Sequence, residues 1–221
     1  NSFTQNIENR NVEYINQTLK DLHEADVANL IENLNPETRT KLIEIESFNI
    51  DPEIFIELNE SIQSEVLQLL SIDSLIKIIK RLESDNAIKI LENLSKEIKE
   101  KVLEKLPPKD KFLLQEGLSY PEDSAARIMQ REFTAVPSNW TVGQTIDYLR
   151  EDKDLPEEFL EIFIVDNDFK PIGTVPSSRV LRTSRDSKMN SIMAEMPVLI
   201  SVNMDKEEAG HTFESYNLES G

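Results

Sequence analysis

The run Asp166-Asn167-Asp168 sets three oxygen-bearing side chains side by side, the way a calcium loop begins. The Gly and the Glu that such a loop needs further on are missing, and apolar segments flank the run, so it reads as a turn between two strands. Little other chemistry is open to this chain. It has no Cys, and His23 and His211 are its two histidines, which excludes thiolate sites and imidazole clusters. There is no Gly-rich phosphate loop and no Ser-His-Asp or Cys-His set, so the chain reads as a non-enzyme. Carboxylates are what remain.

The 221 residues hold 42 Asp+Glu against 24 Lys+Arg, a formal charge of -18. Phosphate backbones and anionic lipid surfaces reward the opposite sign, so nucleic acid is not an expected partner. Cations are what such a field attracts. The acidic stretch "REDKDLPEE" (Arg150–Glu158) reads as a solvated loop, His23 as a cap or surface residue, and His211 as a helix-face residue. Trp140, beside the helix cap Thr141, reads as a cover for core. No apolar run of about 18 residues exists to span a bilayer, and the start of the sequence has no leader pattern, which makes the expected compartment the cytosol.

The elements that must carry these carboxylates begin with a repeat. Cut every twelve residues from His23, the sequence gives HEADVANLIENL, NPETRTKLIEIE, SFNIDPEIFIEL, NESIQSEVLQLL, SIDSLIKIIKRL, ESDNAIKILENL, SKEIKEKVLEKL and PPKDKFLLQEGL. The eighth place is always aliphatic: Leu30, Leu42, Ile54, Val66, Ile78, Ile90, Val102, Leu114. The ninth is apolar and the twelfth Leu in all but one unit each. These places share one helical face. Asn35-Pro36 reads as N-cap and N1, Ser71, Ser84 and Ser95 as caps, and Pro107-Pro108 as the start of the last unit. Helices of two or three turns are marginal alone and must stack, which predicts a solenoid-like array over roughly residues 10 to 118.

The rest of the sequence has its own echo. "IMQREFTAVPSNWTVGQTIDYL" (Ile128–Leu149) aligns without gaps to "IMAEMPVLISVNMDKEEAGHTF" (Ile192–Phe213), 64 residues on, with a strand-like run inside each copy. After the first copy come an apolar strand "EIFIVD", a second strand "KPIGTVP" and a helix start "SSRVLR". The expected order is strand, helix, strand, strand, helix.

This order and the motif "IM…TV…TIDYL…IFIVDNDFKPIGTVPSSRVL" resemble a CBS domain. The stretch "YPEDSAARIMQREFTAV" from Tyr120 resembles the junction of MgtE-type magnesium transporters, "Y-x-E-D-x-A-G-x-[LI]-M-T-x-x-[FY]-x-A-V", which joins a helical N domain to CBS domains. The resemblance implies a fold of class α plus α+β: a superhelical array of short helices over residues 1–119, a CBS domain over 120–187 and a partial second one over 188–221. It further implies a cytosolic Mg²⁺-sensing region at the membrane's inner face, pairing as a homodimer through its CBS domains. That region would close a pore when divalent cations bridge acidic faces of the N and CBS domains. The pore would belong to a transmembrane domain of the same protein, which these residues do not include.

Carried over residue by residue, the resemblance implies cation ligands at Glu53 in "PEIFIEL" and at Asp85 in the helix start "SDNA", with Asp186 beside the place expected after the first CBS helix. Two family acids fall on Lys89 and Asn217, and a third near Ser184. Each ligand has a second reading. Asp85 is also a carboxylate favoured by a helix dipole, Glu53 a first-turn acid and Asp186 a loop charge. Two other functions stay open. Paired CBS domains hold adenosine ligands, although Val180 in "TVPSSRVL" stands where such a pocket has Asp. A helical array can also serve as a protein-docking scaffold.

Overall fold

The computed structural model describes residues 2–46, 50–156, 158–196 and 198–218. The chain divides into two compact units, Asn1–Ser119 and Tyr120–Gly221.

The first unit is all helix. α1 (Ser2–Glu8) and α2 (Val12–Lys20) precede α3 (Glu24–Glu32), α4 (Pro36–Glu46), α5 (Pro52–Glu57), α6 (Glu60–Leu69), α7 (Ile72–Ile79), α8 (Ser84–Glu92), α9 (Lys96–Lys105) and α10 (Pro108–Ser119). From α3 on, each twelve-residue unit holds one helix, and most begin at the second place because the first place is a cap. His23 Nδ1 accepts from the Ala25 amide at 3.3 Å. Asn35 and Ser71 accept from Thr38 and Ser74 at 2.9 and 3.1 Å, and Ser95 accepts from Ile98 at 3.4 Å. The expected cap at Ser84 is not found there: Glu83 is the N-cap, without a side-chain cap bond, and Ser84 is the buried first helical residue. Place one of that unit is Glu83, so the repeat, not the cap preference of Ser, sets the helix start. The opening of the third unit, residues 47–49, lies outside the described residues, and α5 starts later in its unit, on Asp51-Pro52.

The places that repeat are the places that are buried. Leu42, Val66, Ile90 and Val102 have no exposed surface, and Ile31, Ile43, Phe55, Leu67 and Leu91 have almost none. The twelfth-place leucines (Leu34, Leu58, Leu70, Leu82, Leu94, Leu106) lie just past the helix ends and are buried too. Contacts run mostly between helices two apart: α3 with α5, α4 with α6, α7 with α9, α8 with α10. This next-but-one packing winds the helices into a superhelical array around one apolar core.

The second unit is α+β. It opens with a short helix, α11 (Ala125–Ile128), followed by β1 (Ala135–Pro137), α12 (Val142–Glu151), β2 (Glu161–Val165), β3 (Pro171–Pro176) and α13 (Ser177–Arg182). Strand, helix, strand, strand, helix is the order expected. β1 and β2 are parallel and need the α12 crossover between them. β2 and β3 form a hairpin closed by the Asp166–Lys170 turn, where Asp166 accepts from the amides of Asp168 and Lys170, both at 2.9 Å. The Asp166-Asn167-Asp168 run is therefore a turn. Val136, Val142, Ile162, Ile164, Val175, Val180 and Met189 make the core, with Trp140 packed against it.

α14 (Met189–Ile192), β4 (Ala194–Glu195) and α15 (Lys206–Tyr216) follow. α14 is α11 moved by 64 residues, and α15 begins 64 residues after α12, so the internal repeat is real at the level of elements. The strand-like run in the second copy is not a strand at residues 198–200. β1 is held by β2, which follows its helix, and among the described residues no strand follows α15 to do the same. β4 instead pairs antiparallel with β3, where a Cβ on Gly173 would lie 2.4 Å from the Ala194 carbonyl oxygen. That close approach explains the glycine.

Candidate functional site

Two of the three expected ligands come together. α5 packs on α8, and this brings the start of one helix beside the start of the other. Asp51 caps α5, accepting from the Glu53 amide at 3.1 Å. Glu53 sits in the first turn of α5 and Asp85 in the first turn of α8. The carboxyl of Glu53 is pushed above its ordinary value, chiefly because the surrounding protein takes water from it although the residue is exposed. Repulsion from Asp51, Glu83, Asp85 and Glu57 adds to this. Asp85 is half-buried, and its Oδ1 is buried without a hydrogen-bond partner. A buried polar oxygen left in that state costs free energy.

The result is an acidic face on which Glu53 has four other carboxylates for neighbours. Arg81 approaches Asp51 at 3.5 Å, with both side chains about half exposed. Lys89 is exposed one turn along α8 and makes no ion pair with Asp85. Among the described residues no three His, Asp or Glu side chains are gathered closely enough to hold a metal ion as a ready-made cage. The face offers one or two carboxylates at a time.

Asp186 belongs to the other unit. It is exposed on the turn between α13 and α14. The charge organisation there differs, because neighbouring Arg185 reaches back to Asp147 on α12 with a two-point contact of 2.9 and 2.7 Å. The Arg185 carbonyl also accepts from the Gly143 amide at 2.8 Å, and a Cβ at Gly143 would press on Arg185 at 3.2 Å. Ser184 lies on the same turn, and Asn217 ends α15 in the left-handed conformation.

Asp51, Glu57 and Glu83 were not singled out from the sequence. Glu83 had a signal in the repeat, because place one of its unit precedes a helix start, and Asp51 had one in the Asp-Pro pair that opens α5; Glu57, at the end of α5, had none. Arg39 was missed as well. It is buried, donates to the carbonyls of Ile31, Glu32 and Leu34 at the end of α3, and pairs with Glu65 at 2.7 Å. That arginine closes the C-terminus of one helix while neutralising an acid of another.

Residues 22–123 match the family model of the MgtE intracellular N domain. Over 105 residues the chain is 24% identical to the magnesium transporter MgtE of Enterococcus faecalis, covering 48% of this chain and 23% of that protein. The MgtE of Bacillus subtilis is 20% identical over 101 residues, 46% of this chain and 22% of that one. The aligned region thus spans less than a quarter of the length of these relatives. Two solved structures share the fold over nearly the whole chain. One is the soluble part of a magnesium transporter, with a TM-score of 0.79 and 21% identity, covering 97% of this chain and 84% of that one. The other is the cytosolic domain of the Mg²⁺ channel MgtE in complex with ATP, with a TM-score of 0.86 and 21% identity, covering 98% and 89%. At that identity the likeness speaks for the fold: an MgtE-type helical array followed by an α+β module. Among the described residues no helix is long and apolar enough to cross a membrane.

Proposed function

We propose that this chain is the Mg²⁺-sensing regulatory region of a magnesium transporter, working at the cytoplasmic face of the membrane and without enzymatic activity of its own. The observation that carries the reading is the Glu53–Asp85 face, where burial and four neighbouring acids raise the Glu53 carboxyl and Asp85 keeps an unpartnered buried oxygen. Mg²⁺ prefers oxygen donors, keeps several of its waters and takes one or two carboxylates directly, so a face of this kind suits it better than a closed cage would. Glu53 and Asp85 are the proposed ligands, with Asp186 as a third from the α+β module.

Repelling carboxylates are relieved when a cation stands between them. An ion that binds one arrangement of the protein better than another shifts the population toward it. In the proposed mechanism low Mg²⁺ leaves the acidic faces of the helical and CBS-like units apart, and high Mg²⁺ bridges them and favours the closed pore of the transmembrane domain. A homodimer paired through the CBS-like units would present that signal symmetrically.

Small-angle scattering of the chain, titrated with MgCl₂ and with KCl at matched ionic strength, tests the reading. Compaction specific to Mg²⁺ is expected. Glu53→Gln with Asp85→Asn should blunt it more than Glu151→Gln with Glu158→Gln, two exposed acids outside the face. Identical curves in the two salts would overturn it.

A second reading has one observation in its favour. A shallow recess of about 250 Å³ on the second unit is lined by Pro176, Ser178, Arg179, Arg182 and Thr183, two guanidinium groups and two hydroxyls that suit a nucleotide phosphate. Against it, Val180 stands buried where a ribose-binding carboxylate would be needed. Adenine nucleotide in place of MgCl₂ in the same experiment separates the two readings.

A further inference from the structure

The 64-residue repeat of the second unit is crossed at the backbone. The segment leading into each copy is held by the helix cap of the other. On one side the amides of Ala125 and Ala126 donate to the carbonyls of Met204 and Val202 at 2.7 and 3.0 Å, and Lys206 donates to Asp123 at 2.7 Å. On the other side the amides of Met189 and Asn190 donate to the carbonyls of Trp140 and Ser138 at 2.9 and 3.1 Å, and Val142 donates to Ser187 at 2.8 Å. Each bond maps onto its counterpart by a shift of 64 residues, as do the isolated bridges Ser124–Asp205 and Thr141–Lys188.

The two halves of this exchange are equal in geometry but not in consequence. Met189 and Asn190 lead in from α13, within the same unit. Ala125 and Ala126 lead in from Tyr120, the residue that follows α10 and the helical array. The side-chain reinforcement differs as well. Asp205 caps α15 by accepting from Glu207 and Glu208 at 2.8 and 3.4 Å, and Lys206 pairs with Asp123 at 3.1 Å. Thr141 caps α12 in a capping box with Gln144 at 3.1 and 2.9 Å.

We infer that the second repeat copy, through the Asp205-capped start of α15, is the grip on the junction segment Tyr120–Ile128, and that the first copy does not share this role. Any event that loosens or displaces the start of α15 then acts on the segment leaving the helical array, whereas the same event at α12 acts on α14. This is a conformational device of the fold, independent of which ligand acts on it. It requires two elements in one hydrogen-bonded ladder and no contact with the array itself.

Residue-resolved amide exchange on the full chain tests the crossing. Asp205→Ala removes the α15 cap and should raise exchange about tenfold at Ala125 and Ala126, as loss of a helix cap does for what depends on it, with Met189 and Asn190 unchanged. Thr141→Ala should do the reverse. Asp205→Asn keeps a cap acceptor and should restore protection at Ala125 and Ala126, which separates loss of the cap from general unfolding. Equal loss at both amide pairs in either variant, or loss at neither, overturns the inference.

Discussion

At the start of α5 and α8, Asp51, Glu53, Glu57, Glu83 and Asp85 press negative charge against negative charge, while on α12 Asp147 holds Arg185 in a two-point ion pair. The first arrangement raises a carboxyl above its ordinary value and leaves Asp85 Oδ1 without a partner. The second is compensated within the protein; at the first, Arg81 approaches Asp51 at 3.5 Å while Asp85 Oδ1 stays without a partner. A cation from solution has something to gain at the first place and little at the second. The Arg39–Glu65 pair sharpens the contrast, because the same helical array that leaves one acidic face open closes another with a buried guanidinium.

Variants that remove compensation and variants that remove repulsion should therefore have opposite signs. The largest effect is expected at Arg39. Arg39→Met takes the buried donor from three carbonyls and from Glu65, and should lower the stability of the array by about 3 kcal/mol in urea unfolding. Asp85→Asn goes the other way. It removes a charge and supplies a donor, so in Mg²⁺-free, low-salt buffer it should stabilise by up to about 1 kcal/mol, with the gain shrinking as salt is added.

Glu53→Gln should also stabilise at pH 7, by less, because Glu53 is exposed. Its pH dependence gives the sign a separate check. The folded carboxyl holds its proton more tightly than the unfolded one, whose value is near 4.5. Acidification thus stabilises the parent chain as the pH falls through the raised folded value toward 4.5. The advantage of Glu53→Gln should vanish across that window, measured as the difference between the two unfolding midpoints. Glu37 and Glu97, which are held low by Lys41 and Lys101, push the total stability in the other direction, so the difference and not the parent curve is the readout. Arg185→Ala should be the mildest change, below about 1 kcal/mol, since that pair is half exposed.

Much of the fold could be read in the residues. The twelve-residue period located the helices of the array because the same places, such as Leu42, Val66 and Ile90, must be apolar for short helices to share a core. The 64-residue echo located α15 against α12, whereas α11 and α14 lie almost wholly before the start of each copy and were not read as helices. Ser84 misled because a good cap residue one place into the unit lost to the register of the repeat. The run at 198–200 misled because a strand is made by its partner as much as by its own sequence. Of the expected ligands, Glu53 and Asp85 meet because α5 packs on α8, a tertiary fact to which neither segment points alone. Asp51, Glu57 and Glu83 join them through the same packing. Arg39 left no trace in the sequence, because a buried arginine and a surface one are spelled alike.

The most direct test of the central claim is an amide-resolved NMR titration of the chain with MgCl₂, referenced to KCl at equal ionic strength. Saturable shifts confined to the first turns of α5 and α8, around Glu53 and Asp85, are the expected result. Shifts of equal size at Glu151 and Glu158, or the same shifts with K⁺, would show that the acidic face screens charge and binds no ion, and would contradict the account.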